Sequence, residues 1–362
     1  MGCKISGSAK ALPAHTVTND DLAKIVDTSD EWIVERTGIH ERRIALEESC
    51  TDLGTEACEG ALAMAKVAPE DIDLLICMTI SGDVIVPSQA ALLKARLGLQ
   101  NAIAFDLNAA CAGCIYGIEV AASLIEASVA SDAAGAGRVR RNPLRRALVV
   151  GAERLSRVTD WEDRSTCVLF GDGAGAVVLE WDEAAPGILS SFLKNTDDET
   201  LCLTMDADYA MDAFPFGDGC ASQSASEIMD IPLQDAEGES LGFAQPTRTI
   251  RMNGQRVFKF ATSAIVEAAR MACDRANVSL DEVACIIPHQ ANDRIIRYAA
   301  KKLKVPYERW QVSIGQVGNT SASSVLMALA DAYEAGRINP GDKVLLVGFG
   351  GGLTSGALLF EV

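Results

Sequence analysis

The chain repeats a structural unit at a fixed spacing, and this repeat constrains the fold more than any other feature of the sequence. Residues 54–79 and 261–288 each read as an alanine-rich helix, a short turn and a buried strand. Aligning Val67 with Val278 gives an offset of 211 residues. Internal repetition of alternating strands and helices predicts two similar α/β lobes, with strands that helices bury on both faces.

The same offset brings a second pair of segments into register. Asn108 aligns with Asn319, so "NAACAGCIYGIEVAASLIEA" lies against "NTSASSVLMALADAYEAGRI", each a small-residue turn that leads into a helix. The strands "RALVVGAE" and "KVLLVGFG" follow, and an insert near residues 131–144 delays the first of them. We therefore predict an N-terminal half of residues 1–182 and a C-terminal half of residues 183–362.

Composition excludes several classes of function. The net charge of −18 argues against binding to nucleic acid or to an anionic membrane surface. No apolar run reaches the roughly 18 residues of a membrane span, and "MGCKISGSAK" lacks the apolar region of a secretion signal, so we expect a cytoplasmic protein. This N-terminal segment also fits the loose pattern for N-myristoylation, although it is equally typical of the residues that begin a first strand.

The cysteines and one long loop complete the general description. Most of the eleven cysteines lie in apolar runs such as "LLICMTI", where cysteine behaves as a small buried hydrophobe, and this usage favours a reducing compartment. Residues 194–247 break the periodicity with Asp, Gly, Ser and Pro. They predict a long acidic loop, which either caps a pocket or is a solvated insertion.

Cys111 and Cys114 form a C-x-x-C pair that has three interpretations. A structural zinc site needs about four ligands, and the chain has no second pair of this kind. A redox pair stays open, because the thioredoxin motif also begins a helix after a strand. The third interpretation is a single nucleophile: Cys111 lies where the strand "AIAFDL" ends and a helix begins, and a helix N-terminus favours the thiolate. Cys114, one turn later, is then expected to face the packing side.

A nucleophilic cysteine needs a base or a group that stabilises charge, and His289 is the best-placed histidine. It follows an apolar strand in "ACIIPHQAN", and catalytic groups of α/β sheets gather at such strand ends. Asn319 lies in "GQVGNTSASS", the counterpart of the cysteine turn; taken alone, it could be a helix N-cap. A twofold relation between the lobes would bring the two turns face to face, so we expect Cys111, His289 and Asn319 to converge.

Several motifs together carry a resemblance to a known family. The chain contains "DTSDEWIVERTGIHERR", "NAACAGCIYG", "FGDGAGAVVLE", "IPHQAN", "GNTSASS" and "GFGGGLTSG". With these motifs it resembles β-ketoacyl-acyl carrier protein synthase III, of the thiolase superfamily, essentially end to end. The resemblance implies an α/β thiolase-like fold, in which two duplicated βαβαβαββ halves form a five-layered αβαβα sandwich, and it implies a homodimer.

The resemblance also implies a reaction. Cys111 takes an acyl group from acyl-CoA; a malonyl group on acyl carrier protein then loses carbon dioxide, and its enolate attacks the acyl-enzyme. His289 and Asn319 supply N–H donors for the charge that develops on the thioester oxygen. Thiolase-type members carry a second active-site cysteine in place of this asparagine, so the His–Asn pair favours the decarboxylating branch. The family forms its oxyanion hole from the backbone N–H groups at positions that match Cys111 and Gly351, where glycine permits close approach.

"GFGGGLTSG" could instead be a phosphate-binding loop. That reading fails because no P-loop lysine is present and only six residues follow Gly356, too few for the required helix. We expect no permanent cofactor and no metal, with acyl-CoA as substrate.

Further positions are carried over from the family. The expected coenzyme A contacts are Trp32, Arg36, Thr37, Arg164, Gly254 and Asn292. Trp32 and Arg164 would hold the adenine ring between them. Val86, 25 residues before the nucleophile, takes the place where many members carry a bulky aromatic that closes the partner subunit's acyl pocket. The smaller side chain predicts longer or branched primers.

A cationic helix face is expected to dock the acidic carrier protein. In "NDRIIRYAAKKLK", Arg294, Arg297, Lys301 and Lys304 fall at i, i+3, i+7 and i+10, on one face of a helix, and Lys259 could join them. The plain alternative is a solvated helix face.

Two other functions stay open. The first is a relative from a specialised pathway that transfers the acyl group to oxygen or nitrogen, or condenses without a carrier; a requirement for malonyl-carrier would separate it. The second is a silent partner subunit, against which the presence of all three triad residues counts.

Overall fold

The structure of the protein is a computed structural model that describes residues 2–133, 143–207, 225–229, 231, 233–234, 240–242 and 247–362. Most of the insert predicted near residues 131–144, and much of the predicted loop at 194–247, lie outside the described residues.

Strands and helices alternate along the chain. The strands are β1 (Gly2–Ala11), β2 (Thr16–Thr18), β3 (Glu41–Arg43), β4 (Leu74–Met78), β5 (Ile103–Leu107), β6 (Arg146–Arg154), β7 (Asp172–Asp182), β8 (Ile188–Asn195), β9 (Leu203–Thr204), β10 (Leu233–Gln234), β11 (Ser240–Gly242), β12 (Arg251–Met252), β13 (Val283–Pro288), β14 (Lys343–Gly350) and β15 (Thr354–Glu361). The helices are α1 (Asn19–Leu22), α2 (Asp30–Thr37), α3 (Cys50–Ala65), α4 (Gln89–Leu97), α5 (Gly113–Ala133), α6 (Arg164–Cys167), α7 (Ala225–Ile228), α8 (Gly254–Ala276), α9 (Asp293–Leu303), α10 (Ile314–Val317) and α11 (Ser324–Glu334).

Two mixed sheets carry the fold. The first has the order β1-β7-β6-β4-β5, with β4 parallel to β5 and β6, and β7 antiparallel to β6 and β1. The second has the order β13-β14-β15-β8, with β13 parallel to β14 and β15 antiparallel to both of its neighbours. Every residue of β4 is buried, as expected for a strand that helices cover on both faces.

The second sheet departs from the first at one position. Where β5 pairs with β4, the second half has an isolated parallel bridge between Ile286 and Trp310. Beyond Trp310, the N–H groups of Ser313 and Ile314 donate to the side-chain oxygen of Gln290, at 2.8 and 3.1 Å. Because a side chain satisfies these donors, the segment turns away from β13 after a single bridge.

Five layers result from the way the helices pack. The core cluster between the sheets takes Cys114 and Ile118 from α5, and Val325 and Leu329 from α11, together with strand residues of both sheets. Helices α3 and α4 cover the outer face of the first sheet, and α8 and α9 cover the outer face of the second. The predicted αβαβα sandwich is confirmed. By length and composition, the segment Ala110–Ala133 would suffice to cross a membrane; its apolar character is explained by its place in the middle layer.

Backbone geometry preserves the repeat. Helix α3 is followed by Lys66 and helix α8 by Asn277, both left-handed (φ 56° and 53°) and 211 residues apart. Ala110 and Ser321, also 211 residues apart, both have positive φ (45° and 50°). The first sheet ends with β7 at residue 182 and β8 begins at residue 188. The boundary between residues 182 and 183 stays a prediction.

Candidate active site

One cavity of about 640 Å³ brings together residues that are far apart in the sequence. Cys111, His289 and Asn319 all line it. Its walls also include Leu155 and Phe170, which belong to a small apolar cluster. The arrangement is an apolar pocket with a few convergent polar groups, the usual form of a small-molecule site.

Cys111 is the middle residue of a 3-10 turn, Ala110–Ala112, and α5 begins only at Gly113. The N–H groups at the start of such a turn have no acceptor within it, so they can serve a bound oxygen atom. The side chain is buried, and burial raises the pKa of the Cys111 thiol to about 11. Burial thus opposes the thiolate that the helix N-terminus is expected to favour, and the expectation that this position favours a thiolate stays a prediction. Cys114 is wholly buried in the core.

His289 follows the last residue of β13 and is held on two sides. Its backbone N–H donates to the carbonyl of Val347 (2.7 Å), and its Nδ1 lies 2.7 Å from Ser324 Oγ. Ser324 Oγ already accepts from the N–H of Gln290 (3.3 Å), so we assign its proton to Nδ1 and the ring proton to Nε2. Burial lowers the pKa of His289 to about 3. The imidazole is therefore a neutral N–H donor over the physiological range.

The turn that carries Asn319 fixes the orientation of the side-chain amide. The Oδ1 atom accepts from the N–H of Ser321 (2.9 Å), which leaves the NH₂ group for the cavity. In the first half, Asn108 Oδ1 accepts from Ala110 N–H (3.0 Å) in the same way. Asn319 thus caps a backbone N–H and lines the cavity at once, so the two interpretations of this residue are compatible.

The glycines at the end of β14 and in the turn after it lie close to the Cys111 turn. A Cβ at Gly350 would lie 2.6 Å from the backbone nitrogen of Cys111, whereas one at Gly351 would lie 3.2 Å from the carbonyl oxygen of Leu203. Both glycines line the cavity. The family motif pointed to Gly351, and nothing in the sequence was a reason to select Gly350. Three consecutive glycines do not indicate which one contacts the cysteine.

Five of the six expected coenzyme A residues line this cavity. Trp32, Arg36, Thr37, Gly254 and Asn292 line it; Arg164 does not, although its neighbour Ser165 does. The guanidinium carbons of Arg36 and Arg164 lie 4.6 and 4.8 Å from the centre of the Trp32 ring. At that separation Arg164 contacts the indole directly, so a planar ring could enter between them only after Arg164 moved outward.

Two of these residues use their polar atoms within the protein. Thr37 Oγ1 donates to the carbonyl of Ile33 (2.6 Å), and Asn292 Nδ2 donates to the carbonyl of Arg36 (2.9 Å). Asn292 Oδ1 also accepts from Arg294 N–H at the start of α9 (2.9 Å). These contacts join α2 to α9, so both side chains shape the wall of the cavity.

Val86 lies outside the cavity, on the surface. Its side chain is 85% exposed, and the preceding Ile85 and Val84 are 76% and 48% exposed. Within the described part of the chain, Val86 is the most exposed large apolar residue. The structure therefore does not bring Val86 to the site of its own subunit.

The cationic residues form a less regular group than the sequence predicts. Arg294 is exposed, with its guanidinium 5.8 Å from the ring of Phe258, which lines the main cavity. Arg297 is exposed but paired with Asp293, Nε to Oδ2 at 2.6 Å. Lys259 is exposed on α8.

The prediction that Lys304 continues the helix is wrong. Helix α9 ends at Leu303, and Lys304 has left-handed backbone (φ 58°) because it forms the C-terminal cap. It nevertheless lies near Lys301 and Arg297, since all three line a second, shallow cavity of about 470 Å³.

The fold and this site define a class: a thiolase-fold enzyme with a buried cysteine, histidine and asparagine in one cavity between duplicated halves. Comparison with known sequences then gives the family. The family model described as 3-oxoacyl-[acyl-carrier-protein (ACP)] synthase III matches residues 105–197. The model described as the C-terminal part of the same synthase matches residues 273–362. The chain belongs to the β-ketoacyl-acyl carrier protein synthase III family.

Full-length relatives agree with the family models. β-Ketoacyl-[acyl-carrier-protein] synthase III of Clostridium beijerinckii is 43% identical over 99% of this chain and 98% of the relative. The crystal structure of the Aquifex aeolicus synthase III is 40% identical, covers both chains fully and has a TM-score of 0.81. The priming β-ketosynthase of the R1128 polyketide pathway is also similar, at 31% identity, with a TM-score of 0.82 over 99% of this chain and 96% of that one.

Proposed function

We propose that the protein condenses an acyl-CoA primer with malonyl-acyl carrier protein, releasing carbon dioxide and giving 3-oxoacyl-acyl carrier protein for fatty acid or related biosynthesis. One observation carries the proposal: Cys111, His289 and Asn319 line a single apolar cavity that Trp32 and Arg36 also line. The names of the full-length relatives support it.

The first half-reaction acylates Cys111. Its sulfur attacks the thioester carbonyl of acyl-CoA, a new S–C bond forms, the bond to the coenzyme A sulfur breaks, and the thiol proton leaves on coenzyme A. The N–H groups of Cys111 and Gly351 stabilise the oxyanion. The apolar cluster around Leu155 and Phe170 receives the acyl chain.

The second half-reaction forms the carbon–carbon bond. The malonyl thioester loses carbon dioxide, and the enolate so formed attacks the acyl carbon and releases the Cys111 thiolate. Nε2–H of His289 and the side-chain NH₂ of Asn319 donate to the enolate oxygen. Because the pKa of His289 is lowered to about 3, the imidazole donates as a neutral group and never competes as a cation for the substrate carboxylate.

Coenzyme A and the carrier protein use neighbouring surfaces. Trp32, Arg36 and Arg164 hold the adenine end, with Thr37, Gly254 and Asn292 along the channel. The docking surface comprises Lys259, Arg294, Arg297, Lys301 and Lys304. Among the ion pairs between described residues, none involves Lys259, Arg294, Lys301 or Lys304, so these cations are available to an acidic partner. A local basic surface is needed because the whole chain carries a charge of −18.

The enzyme acts as a homodimer in a reducing, cytoplasmic compartment. The exposed run Val84–Ile85–Val86 and Ile103, 45% exposed on the edge strand β5, are apolar surface that a second copy would cover. In that dimer Val86 borders the acyl pocket of the partner, where its small side chain leaves room for longer or branched primers. The cysteines that the structure describes are all buried and unpaired, which suits a reducing compartment.

A second candidate is the priming of a specialised pathway with the same chemistry. The similarity to the R1128 priming ketosynthase favours it, at an identity of 31% compared with 43% for the Clostridium beijerinckii synthase III.

Intact-protein mass spectrometry with a panel of acyl-CoAs tests the proposal. We expect a mass increase of one acyl group on the wild type and on Cys114→Ala, and none on Cys111→Ala. Adding malonyl-acyl carrier protein should remove the acyl group and give 3-oxoacyl-carrier. Acylation that persists in Cys111→Ala, or an acyl group that malonyl-carrier leaves in place, would refute the proposal. The panel also ranks the primers, and a strong preference for acetyl over longer and branched chains would refute the prediction made from Val86.

A further inference from the structure

A buried carboxyl group lies behind the nucleophile and has no part in the proposed reaction. Glu153, near the end of β6, is fully buried. Its Oε2 accepts hydrogen bonds from Ser81 Oγ (2.5 Å), Thr79 Oγ1 (3.0 Å) and Ile80 N–H (3.1 Å). Its Oε1 is buried without a hydrogen-bond partner. A buried carboxylate oxygen left in this state is costly, so the atom needs an explanation.

The hydroxyl oxygen of Ser321 is a second buried atom without a hydrogen-bond partner. Strand β6 touches the turn that begins at Ser321, since a Cβ on Gly151 would lie 2.7 Å from the Cα of Ser323. Cys111 and Ser321 line the same cavity, and the Ser321 hydroxyl lowers the pKa of both the Cys111 thiol and the Glu153 carboxyl. The thiol, the hydroxyl and the carboxyl therefore form a short buried chain with two unsatisfied members.

We propose that Glu153 is a positioning residue for Cys111, acting through Ser321, and that the Cys111 thiolate forms readily only while Glu153 keeps its proton. The proposal takes from the proposed function only that Cys111 is the nucleophile. A protonated Oε1 donates to Ser321 Oγ, and the Ser321 proton is then directed at the sulfur; the two unpaired atoms satisfy each other.

Ionisation of Glu153 reverses this arrangement. The carboxylate then accepts the Ser321 proton, so the thiolate loses its donor, and the negative charge of Glu153 raises the pKa of Cys111. Both effects act in the same direction. Burial raises the pKa of Glu153 to about 7, so the change falls within the physiological range.

Few other titratable groups face this carboxyl. Cys50 on α3 and Cys77 on β4 both interact with its charge, but burial raises the pKa of each well above its usual value, so they stay neutral. Arg154, the next residue along β6, directs its guanidinium to the carbonyl of Ala45 (3.0 Å). The group that changes charge near Cys111 around neutral pH is therefore Glu153.

The test is the pH dependence of Cys111 alkylation by iodoacetamide, followed by peptide mass spectrometry so that each cysteine is measured separately. In the wild type, we expect the logarithm of the rate to rise with pH, to flatten near pH 7 and to rise again at high pH, because the carboxyl and the thiol titrate as a coupled pair. In Glu153→Gln, which stays neutral, the rise should continue without the flattening. The variant should then react up to about tenfold faster than the wild type at about pH 8, one unit above the pKa of Glu153.

A matched control separates this effect from a structural one. Asp172 is also a buried carboxyl, on the neighbouring strand β7, and accepts from Ser156 Oγ (2.7 Å) and from the N–H of Ala45 (2.8 Å). Asp172→Asn should keep the flattening of the wild type. Flattening that persists in Glu153→Gln, or that disappears in Asp172→Asn as well, would overturn the proposal.

Two measurements do not require Glu153→Gln to fold. A wild-type profile that rises without flattening overturns the proposal by itself. Ser321→Ala should lower the alkylation rate below pH 7 several-fold, because the thiolate loses its hydrogen-bond donor. An unchanged rate would contradict the proposal that Glu153 acts on Cys111 through Ser321. Alkylation involves neither acyl-CoA nor malonyl-carrier, so a protein that shows this pH dependence but takes no acyl group would refute the proposed function alone.

Discussion

Replacing Gly350 by alanine tests how the proposed oxyanion site is built. The added Cβ would lie 2.6 Å from the backbone nitrogen of Cys111, and also 3.1 Å from the Cβ of Ala110 and 3.2 Å from the nitrogen of Ala112. Two of these three atoms belong to the backbone of one turn, so no flexible side chain can yield. The extended backbone of Gly350 (φ −169°) is open to any residue, so the conflict is purely one of space.

The size of the effect follows from these distances. Relaxing the shortest contact to about 3.4 Å requires the Cys111 turn to move by about 0.8 Å. A displacement of this size at a reacting centre costs about a hundredfold in rate, and the loss of one oxyanion donor costs roughly 10² to 10³. Overpacking should also lower the free energy of unfolding by about 1 to 3 kcal/mol. Gly351→Ala, whose Cβ meets only Leu203 at 3.2 Å, is the matched control.

The assay is single-turnover acylation of Cys111, read as mass increase against time at saturating acyl-CoA, beside a thermal unfolding curve for each variant. We expect Gly350→Ala to acylate at least about a hundredfold more slowly than the wild type. Gly351→Ala should retain most of the rate, because it keeps its N–H group. Equal rates for the two variants, or a Gly350→Ala variant that matches the wild type, would refute this description of the turn.

Three further predictions concern other parts of the site. Ser324→Ala should slow condensation by about ten- to a hundredfold and leave Cys111 acylation nearly unchanged, because it removes the partner that holds the His289 tautomer; an equal loss in both steps would contradict this role. Reversing Arg294 and Arg297 to Glu should raise the KM for malonyl-carrier about tenfold while acylation by acyl-CoA stays nearly intact, and equal loss of both half-reactions would refute docking. The pKa of His289 is about 3 in the folded state and near 6.5 when unfolded, so the unfolded chain takes up a proton first and stability falls as the pH drops below about 6.5. In His289→Gln, the fall in Tm between about pH 7 and pH 5 should be smaller than in the wild type, and an identical fall would contradict the burial argument.

Much of the fold could be predicted because the repeat preserves backbone geometry as well as residue pattern. The offset that aligns Val67 with Val278 also aligns the positive-φ residues Ala110 and Ser321. The proline that ends β13 allowed the sequence to predict His289 at the carboxyl end of a strand. The convergence of side chains from both halves follows from this symmetry.

What the sequence could not predict depends on tertiary contacts or on caps without a signature. Lys304 ends its helix in left-handed backbone, a conformation for which glycine is the usual sequence signal. The raised pKa of Cys111 comes from burial, which the local motif does not encode. Glu153 is the last residue of "RALVVGAE", where the sequence indicates an ordinary polar residue at the end of a strand. Its burial follows from the packing of this strand against the turn that begins at Ser321, which the sequence does not show.

Duplication explains why the chemistry needs both halves. The two turns share one backbone form, in which an asparagine oxygen accepts the N–H two residues later: Asn108 with Ala110, and Asn319 with Ser321. In the first copy the next residue is Cys111, which we propose as the nucleophile. In the second copy we propose that the asparagine supplies an N–H donor, and Ser321 lies between the thiol and a carboxyl of the other half. Because each turn supplies what the other lacks, a shift of one half against the other should abolish condensation before it unfolds either sheet.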